Sequence, residues 1–452
     1  MFESEKFSDQ YNLFLFSAID LIMVPIILIA LYFYLNKIAL KNLDLFEKKL
    51  IHKVLILFII GVFINAFLGE YYYDRYGDAY LYYGTAVMGK KALLENQTIF
   101  FDILFNQHEN FDAPTIALVG DIFNHDPTTE NFTKVGVIIN LFTFNSYLSN
   151  ALIYAFLSFL GLLKLFMTFK NFFPQLNKVF IYSFFCMPSI WIWSGGMLKE
   201  PICLYLFGTF IYSIYKVFYL KNFNGINTIF ILFSIILLFL FKVYYIITGF
   251  VLIFVFLIGS VIQQKNKTLI YKFLIFSILI GGLIISYSQI EALIQSSFEK
   301  YSLENFSEKV LAINDSYITK EVADFKLPEL NFSFGGTLNL IGYCSLNTFF
   351  RPFFWEIKKP IQILNIIENT IFLIALVKIC FQGFIFKSLK IIFSDKILIA
   401  ILIAILGIGF IMSLTTLNYG SLARYRAPFL PLVSVLLFGT LSKLKEKNAK
   451  TN

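Results

Sequence analysis

The sequence predicts an all-α protein that crosses a membrane many times. Its apolar residues come in repeated runs of about 15 to 22 with almost no charge inside them, the length that spans a bilayer as a helix. Hydrophobic residues make up 58% of the chain and charged residues only 15%, whereas roughly 25% of the residues of a soluble domain are charged. We therefore expect residues 1–452 to form a single integral membrane domain.

About eleven runs qualify as transmembrane helices, several of them short. They are Leu13–Tyr34, Val54–Gly69, Tyr147–Phe166, Val179–Trp193, Ile202–Leu220, Thr228–Phe241, Tyr245–Ile262, Leu269–Ser286, Ile361–Cys380, Ile397–Leu414 and Pro428–Leu441. The first run follows an acidic start, and no small-residue cleavage site comes after it. We expect it to be a retained helix and not a signal peptide.

The lysines predict the orientation of these spans. If the N-terminus is outside, most lysines fall in the loops of the other side and in the C-terminal tail. Cytoplasmic loops carry an excess of positive charge, so we expect an external N-terminus and a cytoplasmic C-terminus. Because the lysines are spread over many short loops, the net charge of +8 does not indicate nucleic-acid binding.

Two long connections, approximately residues 70–146 and 287–360, then lie on the external side and contain most of the polar sequence. In the first, Ala79–Leu94 and Val135–Phe144 are too short or too polar to span, so we expect surface helices there. In the second, Phe334–Trp355 is apolar but interrupted, which is typical of a re-entrant or surface segment. A functional site is therefore expected on the external face.

The four arginines depart from the lysine pattern, because the expected topology puts all of them outside: Arg75, Arg351, Arg424 and Arg426. A sequence that uses lysine for plain positive charge keeps arginine where a planar fork matters, as in bidentate binding of phosphate or carboxylate. We take phosphate as the anion that Arg351, Arg424 and Arg426 bind. Helix capping and snorkelling are the alternatives.

The turn PSIWIWSGGMLKEP (residues 188–201) places Lys199 and Glu200 at the outer start of a span. Ionisable residues at membrane depth are costly and usually line a cavity, so we expect this pair to face a polar site; a local ion pair in a tight hairpin is the alternative. Lys242 lies in an equally short outer turn and is a further candidate for a lipid phosphate. For Lys242 the alternative is snorkelling.

Carboxylates at the mouth of a membrane helix are candidates for general-base chemistry. Asp74 and Asp78 directly follow the second apolar run, among tyrosines; an interfacial tyrosine belt with solvated charges is the alternative. Glu368 lies inside a span, where a polar contact between helices is favoured over a proton relay.

Metal and cofactor chemistry has little support in the sequence. The acidic, histidine-bearing run of residues 108–126 matches no metal-ligand motif, so a solvated loop is favoured. The four cysteines have no paired spacing that would indicate a disulfide framework or a zinc site. The sequence requires no cofactor, and a divalent metal ion stays an open alternative.

The segment GDAYLY (residues 77–82), with Ala86 four residues on, resembles the start of the first external loop of GT-C glycosyltransferases. In that group an Asp-Glu pair is followed at helical spacing by Tyr and Ala; Asp78, Tyr82 and Ala86 match, and Ala79 replaces the second acid. The resemblance implies an integral membrane enzyme that transfers a sugar from a polyprenyl-phosphate carrier to a glycan or lipid acceptor. It implies Asp78 as general base, with Tyr82 in support. Position at the mouth of the membrane helix makes Asp74 the nearest alternative base, and Arg75 and Glu200 are further supporting candidates.

Two other segments, PSIWIWSGGMLKEP and NYGSLARYRAP (residues 418–428), resemble parts of bacterial polysaccharide-assembly proteins, including O-antigen polymerases of the Wzy type and EpsG-like proteins. This resemblance implies external arginines that hold the pyrophosphate of the carrier. It also implies a bacterial plasma membrane, and the abundance of Phe, Ile, Lys and Asn indicates an AT-rich bacterial genome. A transporter of lipid-linked substrates is a further alternative, although its charges would lie along spans and at the midplane.

Overall fold

The computed structural model describes residues 15–263, except 42, 74–76, 96–126 and 223, and residues 306–449, except 329, 331–332 and 361. All regular secondary structure in these residues is helical, so the predicted all-α class is confirmed there. The chain divides into two compact units, Met1–Ile246 and Ile247–Asn452, which we name the N-terminal and the C-terminal unit.

Ten helices begin in the described part of the N-terminal unit. They are α1 (Asp20–Tyr34), α2 (Leu45–Phe67), α3 (Asp78–Glu95), α4 (Pro127–Thr143), α5 (Tyr147–Phe169), α6 (Asn177–Phe185), α7 (Pro188–Ser194), α8 (Lys199–Ile214), α9 (Gly225–Phe241) and α10 (Val243–Gln263). A single π-helical turn extends α1, α2 and α8.

Six more α-helices follow in the described part of the C-terminal unit. They are α11 (Phe306–Thr319), α12 (Phe334–Phe350), α13 (Gln362–Ser394), α14 (Lys396–Thr415), α15 (Tyr419–Arg426) and α16 (Leu430–Ala449). A short 3-10 turn, Ala427–Phe429, joins α15 to α16.

Seven stretches of the described residues are helical, long and apolar enough to cross a membrane. They are Asp20–Ala39, Leu45–Tyr72, Tyr147–Phe169, Lys199–Tyr219, Gln362–Gln382, Lys396–Thr415 and Tyr419–Ala449, and two shorter apolar helices are Gly225–Phe241 and Val243–Ile258. A multi-pass membrane protein is therefore supported, whereas the predicted number of about eleven spans stays a prediction. The predicted span Leu269–Ser286 lies outside the described residues.

The predicted span Val179–Trp193 is two short helices and not one. Helix α6 ends at Phe185, and α7 begins at Pro188. The residue before a proline is driven out of the helical region by contact with the proline ring, and Met187 has the extended angles φ −65° and ψ 121°. The break turns the chain so that α7 and the glycine turn after it pack against α2.

Helices α5 and α8 approach each other at two glycines. A Cβ on Gly161 would collide with the backbone carbonyl of Leu204, and a Cβ on Gly208 would collide with the carbonyl of Gly161. Close approach of small residues is a common way to pack membrane helices, because it brings the backbones into van der Waals contact. This contact fixes α8, which carries Lys199 and Glu200 at its first turn.

Helices α3 and α4 are present where surface helices are predicted, and neither is among the helices suited to span. They pack on each other through the rings of Tyr82 and Phe132, 4.8 Å apart, and through the Thr85 and Thr133 hydroxyls at 3.2 Å. Helix α4 begins at Pro127, about two turns before the predicted start at Val135. The first turn of α4 lies next to the start of α8, where Lys199 donates to Thr128 and Thr129.

In the C-terminal unit, α12 packs along α14 through small and polar residues. The Thr348 hydroxyl donates to the carbonyl of Gly409 at 2.9 Å, and the Asn347 amide donates to the Ser413 hydroxyl at 2.7 Å. A Cβ on Gly409 would lie 2.9 Å from the Cα of Ser345. This packing holds the end of α12, and with it Arg351, beside the segment that leads into α15.

Candidate functional site

Two groups of contacting residues, one in each unit, contain most of the predicted site residues that the structure describes. We name them the Lys199 cluster (Tyr82, Thr128, Thr129, Lys199, Glu200 and Lys242) and the Arg351 cluster (Asp324, Phe325, Tyr343, Asn347, Arg351, Glu356 and Tyr419). Asp74 and Arg75 lie outside the described residues, as does the acidic run of residues 108–126.

Two glycines place the Lys199 cluster. A Cβ on Gly195 would collide with the backbone of Gly61 in α2, and a Cβ on Gly196 would lie 2.5 Å from the Asn65 side-chain oxygen. The Asn65 amide in turn donates to the carbonyl of Ile192 at 3.2 Å. The turn is therefore pressed against α2, and the start of α8 has little freedom to move.

Lys199 is buried, with 7% of its surface exposed. Its Nζ donates to the hydroxyls of Thr128 at 2.7 Å and Thr129 at 2.9 Å, in the first turn of α4, and lies 5.5 Å from the centre of the Tyr82 ring. The N-terminus of a helix carries partial positive charge. A lysine beside it is electrostatically unfavourable by itself, and an anion held between the two would be favourable.

Glu200 and Lys242 form a buried ion pair, 2.6 Å between Nζ and Oε1. Lys242 lies at the junction of α9 and α10, where its backbone N–H donates to the carbonyl of Leu238. Glu200 therefore pairs with a lysine that lies 42 residues later in the sequence. Glu130, the acidic residue of α4, interacts electrostatically with Lys134.

Asp78 is the first residue of α3, and Tyr82 follows one turn later on the same face. Asp78 is half-buried, and Tyr82 is buried against Phe132. Helix α3, which begins at Asp78, contacts Lys199 through the Tyr82 ring. The N-terminal unit thus brings together Tyr82, Lys199, Glu200 and Lys242, with Asp78 one helical turn away.

Arg351 follows α12, and Glu356 engages its guanidinium. Nε lies 3.0 and 3.1 Å from the two oxygens of Glu356, Nη2 contacts the same carboxylate, and Nη1 donates to Asn347 at 3.1 Å and Tyr343 at 3.3 Å. The hydrogen bond to Glu356 raises the pKa of Arg351 despite burial. Burial alone would raise the pKa of Glu356, but the hydrogen bonds from Arg351 and the Phe353 backbone outweigh it, so this pKa is lowered.

Aromatic rings complete the Arg351 cluster. The Arg351 guanidinium carbon lies 5.7 Å from the centre of the Tyr419 ring and 6.0 Å from that of Phe325, and the two rings stack at 5.1 Å. Asp324 accepts from the Tyr419 backbone N–H at 2.8 Å. These contacts fasten the segment around Asp324 to the start of α15, so that residues far apart in sequence share one network.

Arg426 is fully buried, with 1% of its surface exposed. Its Nη1 donates to the carbonyls of Thr348 at 2.8 Å and Arg351 at 3.0 Å, and its Nη2 lies 3.7 Å from Glu368 in α13. The Nη2 of Arg424 donates to the Tyr425 hydroxyl at 3.0 Å. Arg351 and Arg426 are therefore neighbours whose side chains meet different carboxylates, and their binding to phosphate stays a prediction.

Some members of both clusters carry no local sequence signal. Thr128 and Thr129 precede Lys199 by 71 and 70 residues, and Asp324 precedes Tyr419 by 95. Only Glu356, five residues after Arg351, could have been found as a nearby acid. No group of three potential metal-ligating side chains occurs among the residues that the structure describes.

Comparison with protein-family models, curated proteins and solved structures finds no match to this chain.

Proposed function

We propose that this protein is a membrane glycosyltransferase that moves a sugar from a polyprenyl-phosphate-linked donor to a glycan or lipid acceptor on the external face. The observation that carries the proposal is the Lys199 cluster. There, buried Lys199 donates to two threonine hydroxyls at the start of α4. Helix α4 packs on α3, the helix that contains Asp78 and Tyr82. Cations, hydroxyls and a helix N-terminus are suited to binding a phosphate.

In the proposed reaction, an acceptor hydroxyl attacks the anomeric carbon of the donor sugar. The bond from that carbon to the carrier phosphate oxygen breaks, the new glycosidic bond forms, and the phosphate leaves with its extra negative charge. Lys199 stabilises that charge, with Lys242 in support through its pair with Glu200. Asp78 takes the proton of the acceptor hydroxyl, and Asp74 is the alternative base.

The test is transfer of labelled sugar from a panel of polyprenyl-phosphate hexoses by purified protein in lipid nanodiscs. Asp78→Asn keeps the shape and removes the base, so turnover should fall about a hundredfold or more. Lys199→Met should cost about a hundredfold, because it removes a donor from the leaving phosphate. The matched control is Lys91→Met, which changes an exposed lysine on the same helix as Asp78. This variant should keep full turnover.

The turnover of these variants distinguishes the identity of the base from the transferase mechanism itself. If Asp78→Asn is active while Asp74→Asn is dead, the base is Asp74 and the transferase mechanism stands. If both carboxamide variants and Lys199→Met remain active, the transferase proposal is wrong. Movement of the lipid-linked sugar across the bilayer without transfer would favour the transporter.

The second candidate is a polysaccharide polymerase of the Wzy or EpsG type. It is favoured by the proximity of Arg351 and Arg426, since the guanidinium of one donates to the backbone carbonyl of the other. A carrier pyrophosphate would have to replace Glu356 on the Arg351 fork. A polymerase should build a ladder of repeat units, and Arg351→Lys should abolish that ladder because an ammonium has no bidentate fork.

A further inference from the structure

A second cationic site lies in the N-terminal unit. It is near the C-terminal ends of α5 and α8, whereas Lys199 lies at the start of α8. Lys164 belongs to α5, five residues before its end at Phe169, and Lys216 lies in the π-turn that ends α8. Both are half-buried, and they are close enough for their charges to interact. Neither residue takes part in the proposed transfer reaction.

Lys164 is surrounded by aromatic and hydroxyl groups. Its Nζ donates to the Thr209 hydroxyl at 2.7 Å and lies 4.3 Å from the centre of the Tyr205 ring and 5.7 Å from that of Phe230. Lys216 lies 4.6 Å from the centre of the Tyr212 ring. Three helices, α5, α8 and α9, therefore contribute to one cation-aromatic group.

In the described part of the chain, some part-buried lysines pair with a carboxylate, but the two lysines of this group do not. Lys170 pairs with Glu47, Lys242 with Glu200 and Lys443 with Asp395. Among the described residues, no carboxylate lies within 4.0 Å of Lys164 or Lys216. Cation-aromatic contacts stabilise an ammonium by much less than it costs to remove that ammonium from water. Two neighbouring ammonium groups repel each other, and a bound anion would offset this repulsion.

We propose that Lys164 and Lys216 bind the phosphate of an anionic phospholipid. The site lies within the span, about 7 Å along the helix from the end of α5 by the rise per residue, where a free phosphate would have to lose its hydration. A lipid brings its own apolar chains, and α9 offers them exposed side chains at Ile226, Ile229 and Phe233. This proposal is independent of the transferase proposal, because it uses neither the donor nor the acceptor.

The test compares lipid retention and thermal stability of purified protein in detergent. We would add phosphatidylglycerol, phosphatidylcholine or inorganic phosphate and follow unfolding by intrinsic fluorescence, with native mass spectrometry to count bound lipids. Phosphatidylglycerol should raise the unfolding temperature of the wild type, and phosphatidylcholine should do so much less. In Lys164→Met/Lys216→Met, phosphatidylglycerol should bind about tenfold or more weakly, since each basic residue contributes to anionic-lipid binding.

The matched control is Lys49→Met/Lys53→Met, which removes two exposed lysines one turn apart at the start of α2 and should leave lipid retention near the wild-type level. Lys164→Arg keeps the charge and should retain the lipid. Without lipid, Lys164→Met should be at least as stable as the wild type, because it removes a part-buried charge.

Equal phosphatidylglycerol binding by the wild type and the double variant would overturn the proposal. Equal stabilisation by phosphatidylglycerol and phosphatidylcholine would also count against it, because the site would then not recognise an anion. If inorganic phosphate reproduces the whole effect, the ligand is a soluble phosphate and the lipid assignment is wrong.

Discussion

At the scale of single residues, Arg426 and Glu368 form an ion pair with side chains only 1% and 0% exposed. Removing one member of a buried pair strands the other charge in a medium that solvates it poorly. Arg426 also holds the carbonyls of Thr348 and Arg351. The pair therefore connects α13 and α15 to the end of α12.

We predict that Arg426→Met and Glu368→Gln each lower the free energy of unfolding by about 3–5 kcal/mol. The double variant should lose less than the sum, because its second change no longer strands a charge. Chemical denaturation in detergent measures this cycle. Lys358→Met is the control: its Nζ is 3.8 Å from Asp324 and its side chain is 54% exposed, so its loss should cost less than about 1 kcal/mol. Additive single effects would contradict the prediction.

Glu356 predicts a pH dependence with a definite sign. Its pKa in the folded protein is lower than the usual 4.5, because hydrogen bonds from Arg351 and Phe353 outweigh burial. The stabilisation is therefore fully present above about pH 4.5 and is lost as the pH falls through the folded pKa. The stability difference between wild type and Glu356→Gln should be largest at neutral pH and shrink in acid.

Thermal unfolding from pH 7 to pH 3 measures that difference. Asp315→Asn, which removes an exposed carboxylate from α11, controls for the loss of one negative charge. A difference between wild type and Glu356→Gln that stays constant over the whole range would show that the Arg351 pair does not hold Glu356 ionised.

At the scale of helices, the glycines of α5, α8 and the turn before α8 determine how closely the backbones approach. Gly161 and Gly208 lie in the contact between α5 and α8, and Gly195 lies against Gly61. The sequence marked Gly195 and Gly196 as a turn between two apolar segments, but it did not indicate that they pack on α2. Only the packed helices show which backbone each glycine meets.

We predict that Gly161→Ala and Gly208→Ala each destabilise the protein by about 1–3 kcal/mol, because the added methyl group would overlap a backbone carbonyl of the other helix. Gly407→Ala is the control in α14: nothing lies within 4 Å of its Cβ position, so the change should be neutral or stabilising by up to about 1 kcal/mol. Unfolding midpoints of the three variants measure the contrast. Equal midpoints would show that α5 and α8 are not in tight contact.

The sequence predicted some helix limits well and missed others for local reasons. Helix α3 was expected over Ala79–Leu94 and is found over Asp78–Glu95, because its apolar residues recur at helical spacing. The first turns of α4 were missed, since PTTEN is polar and only the proline at the first position indicates a helix start. The break at Pro188 was missed because the apolar residues continue across it.

At the scale of the whole molecule, the orientation in the membrane is testable. We predict an external N-terminus, a cytoplasmic C-terminus, and external positions for residues 70–146 and 287–360, because lysine-rich loops stay in the cytoplasm. In a protein whose four cysteines are replaced, single cysteines at Leu94 and Glu321 should react with an impermeant maleimide added outside. A cysteine at Lys447 should react only after the membrane is opened; labelling of all three from outside would overturn this orientation.

The sequence by itself determined the all-α class and the membrane setting, because the length and charge of apolar runs depend on neighbours along the chain. It also selected Lys199 and Glu200, since charge at the start of an apolar helix is visible in one line of residues. Only the tertiary structure decided that Lys199 contacts Thr128 and Thr129 and that Glu200 pairs with Lys242. The physical reason is that side-chain partners are chosen by helix packing, which brings together residues tens of positions apart and leaves no periodic trace in the sequence.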